Sequence, residues 1–320
     1  MSGASPRVSP GVSPGVSPGV SPGVSTVIAT RDRPELLAKA VASVLGQDYD
    51  GPVEVIAVFD QTEPVEDLAQ AGWHRSVRVV RNDRTPGLPG ARNTGIALAR
   101  HPLVAFCDDD DSWLPAKLRA QTAAMAAHGA GAAVTGIRIH YGDRVRHRRP
   151  QAAVLRHADL VRDRVTSAHP SSFLVERSVV DAAGPVDEAI PGGYGEDYDW
   201  LLRVARHTDI ACVSEPMVEV LWHPGSFFTR RWETVVEALT YLLAKHPDIA
   251  EHRRGAARIH GQQAFALAAT GTRDQSWAQW RATVRGNPTE RRALATLAVL
   301  TGLLSADRVL HLANRFGRGI

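Results

Sequence analysis

Apolar positions along the chain fall into two periods. Residues 24–30, 53–59, 77–81 and 103–107 are compact, largely apolar runs five to seven residues long. Runs of that length predict strands, and 103–107 reads as a buried one. Between the first two, Leu36, Leu37, Ala40, Val41, Val44 and Leu45 recur at helical spacing. Pro34 suits the first turn of that helix, Asp32 is a plausible cap, and Gly46 ends it. This strand–helix–strand order implies parallel strands joined by a right-handed crossover. Further on, the pattern predicts a short helix near 64–71, a helix over 115–128 with Leu118 and Met125 on its apolar side, and strands at 132–141, 171–175 and 217–222. Residues 142–165 are rich in Arg and His without a clear period, and read as a loop over the site. From Arg230 the spacing is helical throughout. The prediction is an α/β fold with a mostly parallel central sheet flanked by helices and a C-terminal helical extension. It divides into a disordered Val-Ser-Pro-Gly repeat tail (1–23), a sheet domain (24–228) and a helical region (229–320).

The strand at 103–107 ends in four consecutive carboxylates, Asp108-Asp109-Asp110-Asp111, followed by Ser-Trp-Leu-Pro. Adjacent like charges destabilise one another unless a cation offsets them. Mg²⁺ and Mn²⁺ take carboxylate oxygens, and phosphates commonly complete their shell. Ligands bind at the carboxyl ends of strands in open α/β sheets, which is where this run lies. At most two of the four need touch metal; Asp111 is expected to be structural, capping the helix that starts near Pro115. Upstream, residues 82–95 hold three glycines and two prolines and lead into a helix, with Arg92 and Asn93 able to donate to a nucleotide or diphosphate. A second acidic group, Glu196 and Asp197, starts another helix after the glycine-rich 192–195. His223, after the strand at 217–222, reads as a metal ligand, a phosphate contact or a surface histidine.

Composition narrows the picture. The 320 residues are 44% hydrophobic and 22% charged, which suits an ordinary globular chain. The net charge of +3 is unevenly placed: residues 249–320 hold eleven arginines, no lysine and four acidic residues. This basic tail reads as an Arg-rich solvated face or as peripheral contact with an anionic membrane surface. Nucleic acid is not an expected partner, because the basic residues lie away from the sheet's ligand edge. Cys107 and Cys212 sit in apolar runs and read as core residues. No apolar run reaches the length of a membrane span, and the start of the chain lacks a signal-peptide pattern, so a cytoplasmic location is expected, peripheral at the inner face of the membrane if the tail binds there.

These motifs, in this order, resemble the inverting nucleotide-sugar glycosyltransferases of family 2, with the GT-A fold. The resemblance covers residues 24–228 and rests on Val24–Pro34, Ser43–Gln47, Asp60, Gly90–Ile96, Phe106–Trp113, Glu196–Trp200 and Trp222–Ser226. It implies a UDP, GDP or dTDP sugar donor, a hydroxyl acceptor and a divalent metal, Mn²⁺ or Mg²⁺. By position it implies Thr30, Asp32, Asp60, Arg92, Asn93, Asp108 and Asp109 on the nucleotide-sugar, Asp110, Asp108 and His223 on the metal, and Asp197 as base with Glu196 its rival. The aromatic that often stacks on the base is replaced by Arg31, which can stack in its place. A sugar nucleotidyltransferase and an inactive binding protein of the same fold are the alternatives; Thr30–Pro34 after the first strand argues against the former, and intact Asp110 and Asp197 against the latter.

Overall fold

The structure, a computed structural model, describes residues 21–222 and 231–315. Most of the predicted tail and His223 therefore lie outside the described residues. Strands β1 (Val24–Thr30), β2 (Val53–Phe59), β3 (Arg75–Arg81) and β4 (Leu103–Phe106) pair in parallel in the order β3-β2-β1-β4. The helices that connect them are α1 (Pro34–Leu45) and α2 (Leu88–Leu98). α1 buries Leu37, Ala40, Val41 and Val44, the stripe its spacing predicted. The N-cap is Arg33, whose side chain makes no capping hydrogen bond; Asp32 is exposed at φ 54° and is not the cap it was predicted to be. The helix expected near 64–71 is only a 3₁₀ turn at Glu66–Leu68.

After β4 the chain forms β5 (Ser112–Trp113), α3 (Lys117–His128) and β6 (Ala132–Tyr141). The stretch read as a loop is instead β7 (Arg144–Arg148), β8 (Val154–Leu155) and α4 (His157–Arg162). β7 is Arg-Val-Arg-His-Arg, exposed along nearly its whole length. It is held by antiparallel pairing to β6 rather than by an apolar face, so it shows no hydrophobic period. A 3₁₀ turn at Pro170–Ser172 leads into β9 (Leu174–Glu176), α5 (Arg177–Ala183), α6 (Glu196–Val204) and β10 (Ile210–Leu221). β9 enters the sheet antiparallel between β4 and β6, and β10 runs parallel to β6. β10 starts well before the predicted 217, because register shifts around Pro216 interrupt its alternation.

The C-terminal helices are α7 (Trp232–Lys245), α8 (Pro247–Glu251), α9 (Arg253–Ala269), α10 (Arg273–Gly286), α11 (Arg291–Leu300) and α12 (Ala306–Arg315). Val235, Leu239 and Leu242 of α7 and Ile259 of α9 join one buried cluster with Phe106, Phe173 and Trp200. The helical extension is thus packed onto the sheet's core. Among the described residues no helix is long and apolar enough to cross a membrane.

Candidate active site

Two close contacts position the site. A Cβ on Gly95 would lie 2.2 Å from Val27, so only glycine lets α2 sit this tightly on β1. Phe106, two residues before the acidic run, meets Trp200 of α6 at 5.1 Å between ring centroids. The first contact brings Arg92 to the end of β4, and the second brings the start of α6 to the same place. Gly195, at φ 81°, turns the chain into α6.

Arg92 is 2% exposed and joins the two acidic groups. It donates to Asp108 at 2.7 Å and to Glu196, and lies over the Phe106 ring. Glu196 is buried, and burial raises its pKa to about 7 despite Arg92. Its second carboxylate oxygen has no hydrogen-bond partner. Asp197 accepts from Arg164 at 2.7 Å; burial opposes its charge, but Arg164 and Arg92 hold its pKa below the usual value.

Within the acidic run each carboxylate has a different neighbour. Asp109 accepts from Thr30 at 2.7 Å and from Arg33 at 3.2 Å, so Thr30 fastens the run from the end of β1. Asp110 accepts from Arg33 at 2.8 Å; burial, with Asp108 and Asp109, pushes its pKa to about 6. Asp111 caps no helix. Its carboxylate accepts from Ser171 at 2.5 Å and lies 3.4 Å from His169, while the Leu118 amide at the start of α3 donates to Gln47 at 3.1 Å. Burial, then Asp108 and Asp110, raise the pKa of Asp111 well above the carboxylate range.

Asp108, Asp111 and His169 each offer a ligand atom within 4.8 Å of the others. Two carboxylates and an imidazole suit a divalent ion such as Mn²⁺, and a cation would offset the charge that burial penalises at Asp111. The expected ligands were Asp108, Asp110 and His223. Of these the cluster holds Asp108; Asp110 accepts from Arg33, and the cluster's His169, 61 residues beyond Asp108, was not among the expected ligands. Its only sequence signal is the His169-Pro-Ser-Ser turn just ahead of a strand.

The remaining predicted residues lie nearby. Asp60 ends β2, and Asn82, Gln61 and the Gly87 amide all donate to its carboxylate. It thereby folds the 82–87 loop, and although burial opposes its charge, these bonds keep its pKa low. α2 begins at Leu88, so Arg92 and Asn93 sit in its second turn rather than at its start. Asn93 brackets Val186 through amide–backbone bonds of 2.8 Å and donates to Glu188, so its side chain is engaged away from Asp108.

Residues 25–182 match the family model described as Glycosyl transferase family 2. The chain carries a family 2 glycosyltransferase domain. The chain is 33% identical over 114 residues to the succinoglycan biosynthesis protein ExoO of Rhizobium meliloti, covering 35% of this chain and 32% of that protein. It is 28% identical over 95 residues to the UDP-Glc:alpha-D-GlcNAc-diphosphoundecaprenol beta-1,3-glucosyltransferase WfaP of Escherichia coli, covering 30% of this chain and 38% of that protein. The alignments thus span only about a third of each relative's length. Among solved structures, TarS of S. aureus in complex with UDP-GlcNAc superposes with a TM-score of 0.57 at 13% identity, over 92% of both chains. The mannosyltransferase PcManGT of Pyrobaculum calidifontis, in complex with GDP-Man and Mn²⁺, does so with 0.52 at 15% identity, over 89% of this chain and 81% of that one. At such identities the likeness is one of fold, and the fold of this chain is GT-A.

Proposed function

We propose that the protein transfers a glycosyl group from a nucleoside-diphosphate sugar to a hydroxyl acceptor by single displacement, inverting the anomeric carbon. The observation that carries this reading is Arg92, which holds Asp108 and Glu196 together and so sets Asp197 beside the acidic run. WfaP, TarS and PcManGT support it through the activity or the nucleotide-sugar donor that their names print.

In this reading Thr30, Asp32, Asp60 and Asp109, at the ends of β1, β2 and β4, line the nucleotide side. Asp197 accepts the proton of the acceptor hydroxyl. The oxygen attacks the anomeric carbon, the bond to the diphosphate breaks, and its electron pair leaves with the nucleoside diphosphate. Glu196, bound to Arg92, fixes the approach of Asp197. A divalent ion held by Asp108, Asp111 and His169 would neutralise charge on the departing diphosphate.

The test is a melting experiment with UDP, GDP and dTDP, with and without Mn²⁺, followed by hydrolysis of the matching sugar donors. One nucleoside diphosphate should raise Tm in a metal-dependent way, and its sugar conjugate should be hydrolysed. No shift with any of the three, together with no hydrolysis, overturns the reading.

A further inference from the structure

The start of α6 carries more positive charge than its carboxylates balance. Arg164, in the turn after α4, donates to Asp197 at 2.7 Å and lies 5.9 Å from the ring centroid of Tyr198. Arg258, from α9, lies 5.0 Å from the same ring and donates to the Tyr198 hydroxyl at 3.0 Å. Arg258 is 5% exposed, and its Nε has no hydrogen-bond partner. A buried guanidinium bonded to a neutral phenol is costly in isolation. Arg148 adds to the field: burial and then Arg164 lower its pKa to about 10. Arg258 is held below its usual range by burial and, despite Tyr198, by Arg292 and Arg164. Against these stand Asp197 and the exposed Asp163.

We propose that Arg164, backed by Arg258 behind Tyr198, forms a subsite beside Asp197 for a phosphate group carried by the acceptor. Arg164 is the contact residue, because its side chain is one third exposed and its guanidinium fits phosphate oxygens. Arg258 contributes field rather than contact. The phosphate would lie next to the group that takes the hydroxyl proton, so it orients the acceptor. This inference rests on the glycosyl-transfer reading and names its acceptor class.

The test uses phenyl phosphate as probe, by calorimetric titration into the full chain saturated with the preferred nucleoside diphosphate and Mn²⁺, so that the donor side is filled. Wild type should bind the probe, Arg164→Gln should weaken it at least tenfold, and Arg164→Lys should recover part of the loss. Arg258→Lys, which keeps the charge, should bind within a few fold of wild type, whereas Arg258→Met should weaken the probe. A parallel titration with dimethyl phosphate separates a terminal phosphate from a backbone diester. Nucleoside diphosphate affinity should be unchanged in all four variants. No probe binding by wild type, or equal binding by Arg164→Gln, overturns the subsite while leaving the donor reading intact. Loss of nucleoside diphosphate binding by wild type overturns the donor reading itself.

Discussion

The two acidic groups that meet at Arg92 are alike in sequence and opposite in electrostatics. In Asp108–Asp111, burial and mutual repulsion outweigh the cations, and Asp109, Asp110 and Asp111 are all raised above their usual pKa. In the group that opens α6, cations win at two of three positions. Asp197 has Arg164, and Asp199 has Arg203 at 2.8 Å, His246 at 2.8 Å and Lys245 at 2.8 Å, and both stay low although burial opposes them. Only Glu196 follows the first group. A run of carboxylates therefore does not tell its own role. The first group is short of positive charge, which fits the divalent ion proposed for it, whereas in the second the cations keep Asp197 and Asp199 ionised.

The largest effect that tests this contrast is on catalysis. Asp197→Asn should lower glycosyl transfer by about 10²–10⁴-fold, with nucleoside diphosphate affinity preserved. Steady-state rates beside a binding titration would show it, and transfer at wild-type rate would remove Asp197 from the mechanism. Next comes stability. Asp199 is fully buried and holds α7 to α6 through Lys245 and His246. Asp199→Ala should cost about 3 kcal/mol in denaturant unfolding, at the low end for a broken buried pair because Arg203 and Lys245 keep some access to water. A loss below about 1 kcal/mol would show that the cations do not hold Asp199 as described.

The smallest effect is on pH dependence. The pKa of Asp110 rises from 3.8 to about 6 and that of Glu196 from 4.5 to about 7. Across that window the folded protein keeps protons that the unfolded chain has lost, so these groups make stability fall as pH rises. Metal-free protein should therefore lose Tm between pH 5 and pH 8, Glu196→Gln should lose less, and Mn²⁺ should recover part of the difference at pH 8. Identical wild-type and Glu196→Gln profiles in a calorimeter would refute the assignment.

Much of this was legible in the chain. Residues 24–30 and 53–59 carry apolar side chains dense enough to fix two central strands, and α1 shows its stripe because one face is buried and the other is wet. The acidic run and Glu196–Asp197 are visible because few folds tolerate such charge. The parallel pairing of β1 and β2 was legible from the strand–helix–strand order, but the antiparallel insertion of β9 was not. Nothing near Asp111 announces Ser171 or His169, which reach it only because β9 inserts next to β4. Arg164 and β7 were hidden for the opposite reason: a polar edge strand and the short segment after α4 have no hydrophobic rhythm, and their roles come from backbone pairing and one ion pair.

Arg92 also bears on how the molecule could be recombined. It belongs to the parallel half of the sheet, yet one of its two carboxylate partners lies 104 residues further along, on α6. A chimera that joins this sheet to the C-terminal part of another chain would have to bring a carboxylate to the place of Glu196, or leave a buried guanidinium half-bound. A junction placed after α6 keeps that bond within one parent, and one placed before it does not.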